Sequence, residues 1–416
     1  MKLSLLFLCL YTARPQCLFP LAHTNTTNIT YRDRLTLEEK VGQMLMVSFS
    51  GTSCNGDALR LITEAHVGGI MYYQFSNGLT SPEQVRLLSR SLQEVAQKHS
   101  PYVPLLISVD QEGGTINRLI PKHNFTTFPS QEIIGAVNDT TLTEKTAYAI
   151  GRQLRAVGIS LNMAPVADIN SNADNPVIGS RSFGTTATHV IPHVHAALRG
   201  YQKANTIACI KHFPGHGDTD TDSHTTLPVI THVKEILNER ELKPFATSLH
   251  APAIMTAHIM VPTYDQTACA TMSSIIITDL LRKTMHYRGI IITDSLLMQG
   301  ALHKNDLSTA AIRSIQAGCD IVLISGRMLI DQQYRTVTTD EVIQTHKAIV
   351  NAVRVGHIPL ARINESVDRI LSLKQQYSVG YIPRLTLERL HKRTHGASIE
   401  AIATTILQKH TPLSKQ

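Results

Sequence analysis

Tryptophan is missing from the 416 residues of this chain, and aromatic residues together make up only 5%. Neither a Trp belt nor a Trp stacking platform can be built from it. Clustered positive charge is missing too. The net charge is +7, yet no run of five or more Lys or Arg occurs, and no basic stripe is interleaved with aromatics. Nucleic acid is therefore not expected as a partner. The six cysteines contain no CxxC, which removes a zinc ribbon and a dithiol redox motif. Cys209 and Cys319 lie inside apolar runs and read as small buried hydrophobes. No GxGxxG turn follows an apolar run, which speaks against a doubly wound dinucleotide-binding sheet. From residue 31 onward no stretch of about 18 apolar residues occurs, so no integral membrane span is expected there.

The N-terminus is apolar but short. Residues 3–11 follow Lys2 and are nearly all apolar, the length of a signal-peptide core. No clean small-x-small cleavage site follows, and Arg14 sits close behind. Residues 1–30 are expected to direct export to the periplasm or outside, with a disordered extension of a cytoplasmic protein as the alternative.

Eight short apolar, β-branched runs recur along the rest: 43–51, 67–73, 104–110, 161–168, 206–213, 251–259, 288–294 and 319–325. Such runs read as strands buried on both faces, as in a parallel sheet. The intervals carry helix signals. Ser81-Pro82-Glu83-Gln84 supplies an N-cap, a proline at the first helical position and a capping-box Gln. Val85, Leu88, Leu92 and Val95 then make one apolar face. Similar periodicity predicts helices in 141–157, 187–204, 232–248, 274–286, 298–317 and 339–355. Strands alternating with helices in this number predict a single (β/α)₈ barrel of TIM type over 31–383, an α/β fold. Residues 384–416 read as a basic linker and an amphipathic helix that docks on the barrel. Its apolar face holds Ile399, Ile402, Ala403, Ile406 and Leu407.

A barrel puts its chemistry at the carboxyl ends of its strands. Polar residues gather there: Asp110-Gln111-Glu112, Lys211-His212, His258 and Asp294. The densest stretch, KHFPGHGDTDTDSH at 211–224, admits several readings. Asp218-Thr-Asp220-Thr-Asp222 imitates the start of a calcium loop, but Ser223 and Val229 stand where its Gly and Glu belong. His212, His216 and His224 lack the i, i+4 helical pairing of a zinc protease, so no metal is expected. A phosphate cradle would need GK[ST] and a helix opening at once. Acid–base catalysis remains, with Asp222 orienting His224 and favouring its protonated form. A polar surface loop in which the two merely bond each other fits equally well on local grounds. Asp294 tips the balance. A carboxylate at the mouth of a barrel strand is a candidate nucleophile, although it could instead cap a helix starting near Ser295. A carboxylate nucleophile with a separate proton donor is the apparatus for cleaving glycosidic bonds with retention.

With those residues in view, the chain resembles glycoside hydrolase family 3, in its bacterial β-N-acetylglucosaminidase branch. The likeness runs from about 36 to 383 and rests on DQEGG with Arg118 behind it, NPVIGSRSFG (175–184), KHFPGHGDTDTDSH, IMTAHIMVP (254–262) and TDSLLM (293–298). Thr115 and Cys319 depart from the more usual Arg and Ala. The resemblance implies that Asp294 is the nucleophile and His224, paired with Asp222, the general acid/base. It implies that Asp110, Arg118, Arg181, Lys211 and His212 hold the non-reducing N-acetylglucosamine. It further implies peptidoglycan fragments as substrates, a part in wall turnover, no cofactor, and a monomer. The tail at 384–416 would then be the remnant of a second domain. The alternatives are a β-glucosidase, a phosphorylase in which phosphate replaces water, and a non-catalytic sugar-binding protein.

Overall fold

The computed structural model describes residues 31–99, 101–223, 225–303, 305–330 and 333–411. Each of the eight apolar runs contains a strand. In chain order these are β1 (Leu45–Val47), β2 (Gly69–Met71), β3 (Leu106–Val109), β4 (Leu161–Asn162), β5 (Ile207–Phe213), β6 (Ala253–Thr256), β7 (Ile290–Ile292) and β8 (Val322–Ile324). Neighbours pair in parallel from β1 through to β7, and β8 returns to pair with β1, Leu45 facing Val322. A parallel bridge from Ile292 to Ile321 joins β7 to β8 and closes the barrel. Every residue of these strands is buried, which is why the runs carry no polar alternation.

The helices bury one face against this barrel. In helix Pro82–Gln97 the buried side chains include Val85, Leu88, Leu92 and Ala96, and Ser81 accepts the N-cap bond from Gln84. Each large side chain so buried stabilises by about 1.5–3 kcal/mol. Leu88→Ala would cost about 2–5 kcal/mol, the transfer term plus the cavity. Helices Thr140–Ala156, Ala187–Lys203 and Thr339–Arg354 lie where periodicity places them.

Other spans differ. The expected helix at 232–248 is two short pieces, Lys234–Glu239 and Lys243–Ala246, with a break before Pro244. The expected helix at 298–317 splits into Gln299–Leu302 and Leu307–Ala317, because Asp306 caps a new start through Thr309 N. Residues Ile275–Thr284 form a π-type helix. Helix Leu360–Gln376 had no counterpart in the periodicity reading. It is held to the barrel's lower edge by Asp320, which accepts from Arg369 (3.0 Å), Ser366 (2.7 Å) and Ile291 N (2.9 Å) and pairs with Arg282.

The tail docks as expected. Helix Ala397–His410 buries Ile399 and Ile406 against helices Gln131–Val137 and Thr140–Ala156. Leu407, placed on that face from the sequence, is 48% exposed. Ahead of it, the carbonyl of Thr394 accepts from Thr126 N (2.8 Å) and Gln153 Nε2 (3.1 Å). Cys54, Cys209, Cys269 and Cys319 are free thiols. No helix among the described residues is long and apolar enough to cross a membrane. The N-terminal export segment, residues 1–30, lies outside the described residues.

Candidate active site

The mouth of the barrel holds a cavity of ≈ 320 Å³. Asp110, Arg118, Arg181, Lys211, His212 and Asp294 all line it, as do Glu112, His216 and Ser223. Residues scattered from 110 to 294 are thus brought to one place.

The chain beyond β3 folds back at once. Gln111–Gly113 and Ile116–Asn117 form a tight hairpin, turned by Gly113 (φ +103°) and Gly114 (φ +59°). Both angles favour glycine. A Cβ on Gly113 would also lie 2.5 Å from the Pro129 carbonyl. The buried amide of Gln111 pins the return. Its Oε1 accepts from Arg118 N (2.9 Å) and Leu119 N (3.0 Å), and its Nε2 donates to Asn117 Oδ1 and to the Leu119 carbonyl, each at 3.0 Å. Arg118 therefore comes back beside Asp110, Nη2 lying 3.4 Å from Oδ2.

Lys211 enters from β5. Its Nζ lies 2.9 Å from Asp110 Oδ1 and 2.6 Å from Glu112 Oε1. Arg181, at the end of the short helix Gly179–Arg181, forks onto Glu112 from the other side. Burial alone would push the Glu112 carboxyl up, but the Arg181 and Lys211 charges hold it far below the usual carboxylate range. Burial would likewise lower Lys211, and Asp110 and Glu112 raise it instead. Glu112 and Lys211 therefore hold opposite charges side by side. A sugar entering here meets carboxylate oxygens that accept from hydroxyls and cationic N–H groups that donate to oxygens.

Asp168 organises the histidine loop from beneath. It accepts from His212 N at 3.1 Å and His216 N at 2.8 Å, and His212 Nδ1 lies 2.6 Å from its Oδ2. His212 then presents Nε2 to the cavity, 3.3 Å from Arg181 Nη2. Gly217 is needed for the next step of the chain, because a Cβ there would stand 1.7 Å from the Ile169 carbonyl. His216 is enclosed between Thr219 Oγ1 (2.8 Å) and Ser223 Oγ (3.0 Å). Burial, with the nearby His212 charge, pushes its imidazole down to about 4, so it is neutral. Asp218, first of the three loop aspartates, is taken up by Arg240 (2.8 Å), Ser171 (3.1 Å) and His232.

Ser223 anchors the far end of the loop. Besides bonding His216, its carbonyl accepts from Gly300 N at 3.1 Å. Asp222 beside it is partly buried, and its carbonyl receives Thr225 N and Thr226 N at 3.0 Å each, forming a turn. His224 lies outside the described residues.

Asp294 follows β7 directly. Its Oδ1 accepts from Ser295 N at 2.7 Å. No helix opens there, since the next begins at Gln299 behind Met298. The capping role weighed from the sequence therefore does not apply. The flanking backbone is tied to β8 through Thr293 N to Ile321 O and Leu296 N to Leu323 O, both 2.9 Å. Ser295 Oγ reaches the Ser325 carbonyl at 2.5 Å, and His258 Nε2 lies 2.9 Å from the Ser295 carbonyl.

Residues 36–373 match the model of the glycosyl hydrolase family 3 N terminal domain. The chain belongs to glycosyl hydrolase family 3. By that membership it is a glycoside hydrolase. "Beta-hexosaminidase A" of Pseudoalteromonas piscicida is 36% identical over 323 residues, 70% of this chain. The family 3 chain spans 54% of that relative's length. "Beta-hexosaminidase LpqI" of Mycobacterium tuberculosis is 30% identical over 348 residues, which cover 82% of this chain and 83% of that one. A solved family 3 beta-N-acetylglucosaminidase from Paenibacillus sp. str. FPU-7 superposes with a TM-score of 0.83 at 40% identity. The superposition covers 90% of this family 3 chain and 69% of the other.

Glu112, Asp168, His216 and Ser223 were not selected from the sequence as site residues of this hydrolase. A signal existed for two of them. Glu112 and Asp168 each close or follow an apolar run that must be buried, and a buried carboxylate requires partners. His216 and Ser223 gave no such signal, because their bonding depends on how the loop folds.

Proposed function

We propose that this chain is a retaining β-N-acetylglucosaminidase that releases terminal non-reducing N-acetylglucosamine from β-linked glycans. The observation that carries this reading is the common cavity. Asp294 faces it from the end of β7, the linked side chains of Asp110, Lys211, Glu112 and Arg181 line it, and Ser223, between Asp222 and His224, lines it too. The names of the relatives, beta-hexosaminidase and beta-N-acetylglucosaminidase, support the choice of sugar.

In the first step a carboxylate oxygen of Asp294 attacks the anomeric carbon. The bond from that carbon to the leaving oxygen breaks, and His224, protonated and oriented by Asp222, gives its proton to that oxygen. The product is a glycosyl ester on Asp294. In the second step neutral His224 takes a proton from water, whose oxygen attacks the same carbon and frees the carboxylate. Asp110, Lys211, Arg118, Arg181 and His212 hold the sugar's hydroxyls and acetamide while its ring changes charge. Peptidoglycan fragments are the natural substrates in this reading, following the family resemblance of the sequence. It also has the enzyme exported by its N-terminal segment and acting as a monomer.

The test compares an aryl β-N-acetylglucosaminide with the matching β-glucoside. Strong preference for the acetamido sugar, with the β-anomer released first, is expected. Preference for the glucoside would make it a β-glucosidase, and turnover of neither a sugar-binding protein. Repeating the reaction in phosphate buffer decides the acceptor, since a sugar 1-phosphate product would make the enzyme a phosphorylase.

A further inference from the structure

The basic lead-in RLTLERLHKRTH has no part in the chemistry above. It lies against helix Pro82–Gln97 on the outside of the barrel. His391 meets Glu83, and Arg86 donates to the Pro383 carbonyl. The two segments therefore run antiparallel, and Leu87 lies one turn before Arg90 on helix Pro82–Gln97. Leu87 and Leu387 are each 65% exposed, and Tyr381 nearby is 46% exposed.

Tyr381 lines a cleft of ≈ 690 Å³ that reaches Tyr102 and Pro104 ahead of β3. It is thus at the amino-terminal end of the strand, away from the mouth. Arg90, Arg384, Arg389 and Arg393 line it, against the single carboxylate of Glu94. None of the four arginines forms an ion pair with another described residue. Burial, then the charges of Arg152 and Arg389, hold the Arg393 guanidinium below its ordinary range, and burial with Arg90 does the same to Arg86. Residues 1–30 and 412–416 contain no Asp or Glu that could supply the missing countercharge.

Arg90, Arg384 and Arg389 are exposed and Arg393 is half-buried, and such a cluster of unpaired arginines calls for anions, since arginine forks match phosphate oxygens. Exposed Leu87 and Leu387 on the two helices that carry the arginines, with Tyr381 on the cleft wall, call for an apolar phase beside those anions. One partner offers both together. We propose that this face is a peripheral membrane-docking surface, with Arg90, Arg384, Arg389 and Arg393 receiving the phosphates of anionic phospholipids and Leu87, Leu387 and Tyr381 entering the headgroup layer. Docked this way, the barrel mouth points away from the lipid and stays open to soluble glycans. The inference does not depend on which sugar the enzyme takes.

The experiment is co-sedimentation of the full chain with vesicles of phosphatidylglycerol and phosphatidylcholine, against vesicles of phosphatidylcholine alone. Because residues 3–11 are apolar and would add their own affinity, wild type and variants of identical length are compared. Binding is expected on the anionic vesicles, weakening as salt rises. The double variant Arg389→Gln, Arg393→Gln should lower the partition coefficient by about 30-fold. Arg90→Gln on the other element should lower it as well, and Leu87→Ser with Leu387→Ser should weaken it without changing its salt dependence. Hydrolysis of a soluble aryl glycoside should be unchanged in all of them, which shows that they fold. Equal binding to neutral vesicles, or undiminished binding by the arginine variants, overturns the proposal. So does binding of inorganic tripolyphosphate without binding of vesicles, which would make the cleft a site for soluble polyanions.

Discussion

Arg181 grips Glu112 with two parallel bonds, Nε to Oε2 and Nη2 to Oε1, each 2.9 Å long. Glu112 is 4% exposed and lies between Arg181 and Lys211. Its charge holds both Arg181 and Lys211 in place. Glu112→Gln would leave two buried cations short of a partner. A loss of about 3–5 kcal/mol in unfolding free energy is expected, the cost of breaking a buried pair from one side. Urea denaturation measures it, and a variant as stable as wild type would show that the fork is dispensable.

Asp294→Ala should lower kcat/KM by more than about 10⁴-fold with little change in stability. Added azide should restore turnover and yield the α-glycosyl azide, because the anion attacks the face that the carboxylate has vacated. Rescue without that inverted product would argue against a nucleophilic role.

Replacing His224 by Ala should act according to the leaving group. A poor alcohol needs the proton, and its release should slow by about 10²–10⁴-fold. An acidic phenol leaves unaided, so for it the formation of the glycosyl ester should be nearly unchanged while its hydrolysis slows. Burst kinetics with the two substrates separate these cases. Equal slowing of both would assign His224 to binding.

Ser223→Ala removes the hydroxyl from His216 Nε2 but keeps the carbonyl bond to Gly300. kcat should fall more than KM rises, since the cluster of Asp110, Lys211, Glu112 and Arg181 is untouched while the segment before His224 loses one anchor. A rise in KM alone would place Ser223 among the sugar contacts.

Two buried histidines set the acid side of stability. Burial pushes His193 and His216 each down to about 4 in the folded chain, against about 6.5 when unfolded. Between those values the unfolded chain binds protons that the folded one does not. Stability is therefore intact above pH about 6.5 and is lost as the pH falls toward 4. The urea midpoint should drop between pH 7 and pH 5, and His193→Gln should reduce the drop. A midpoint constant over that range would contradict it.

Much of the fold was legible because burial writes itself into composition. β7 and β8 are apolar on both faces, and only a sheet covered on both sides asks for that. Helices were harder to bound. The periodicity of 298–317 is continuous, yet Asp306 restarts the helix midway through a cap that a repeat of apolar residues does not register. Hairpin Arg327–Ile330 with Gln333–Thr336 went unread for a related reason, its second strand being exposed throughout. In the site, the residues at strand ends were legible because a charge there has no structural reason to exist. Asp168, at the end of such a run, carried the same signal but not its role, since its partners His212 and His216 lie 44 and 48 positions on. Its role emerges only when β4 and β5 come side by side.

The backbone around Asp294 is sewn to β8 through Thr293, Ser295 and Leu296, whereas the segment that carries Asp222 is a long loop between β5 and β6. In the proposed reaction the nucleophile is thus held by the barrel itself, and the proton donor by a loop. Substitutions in that loop would then shift the working pH or the acceptor while the support of the carboxylate stays as it is.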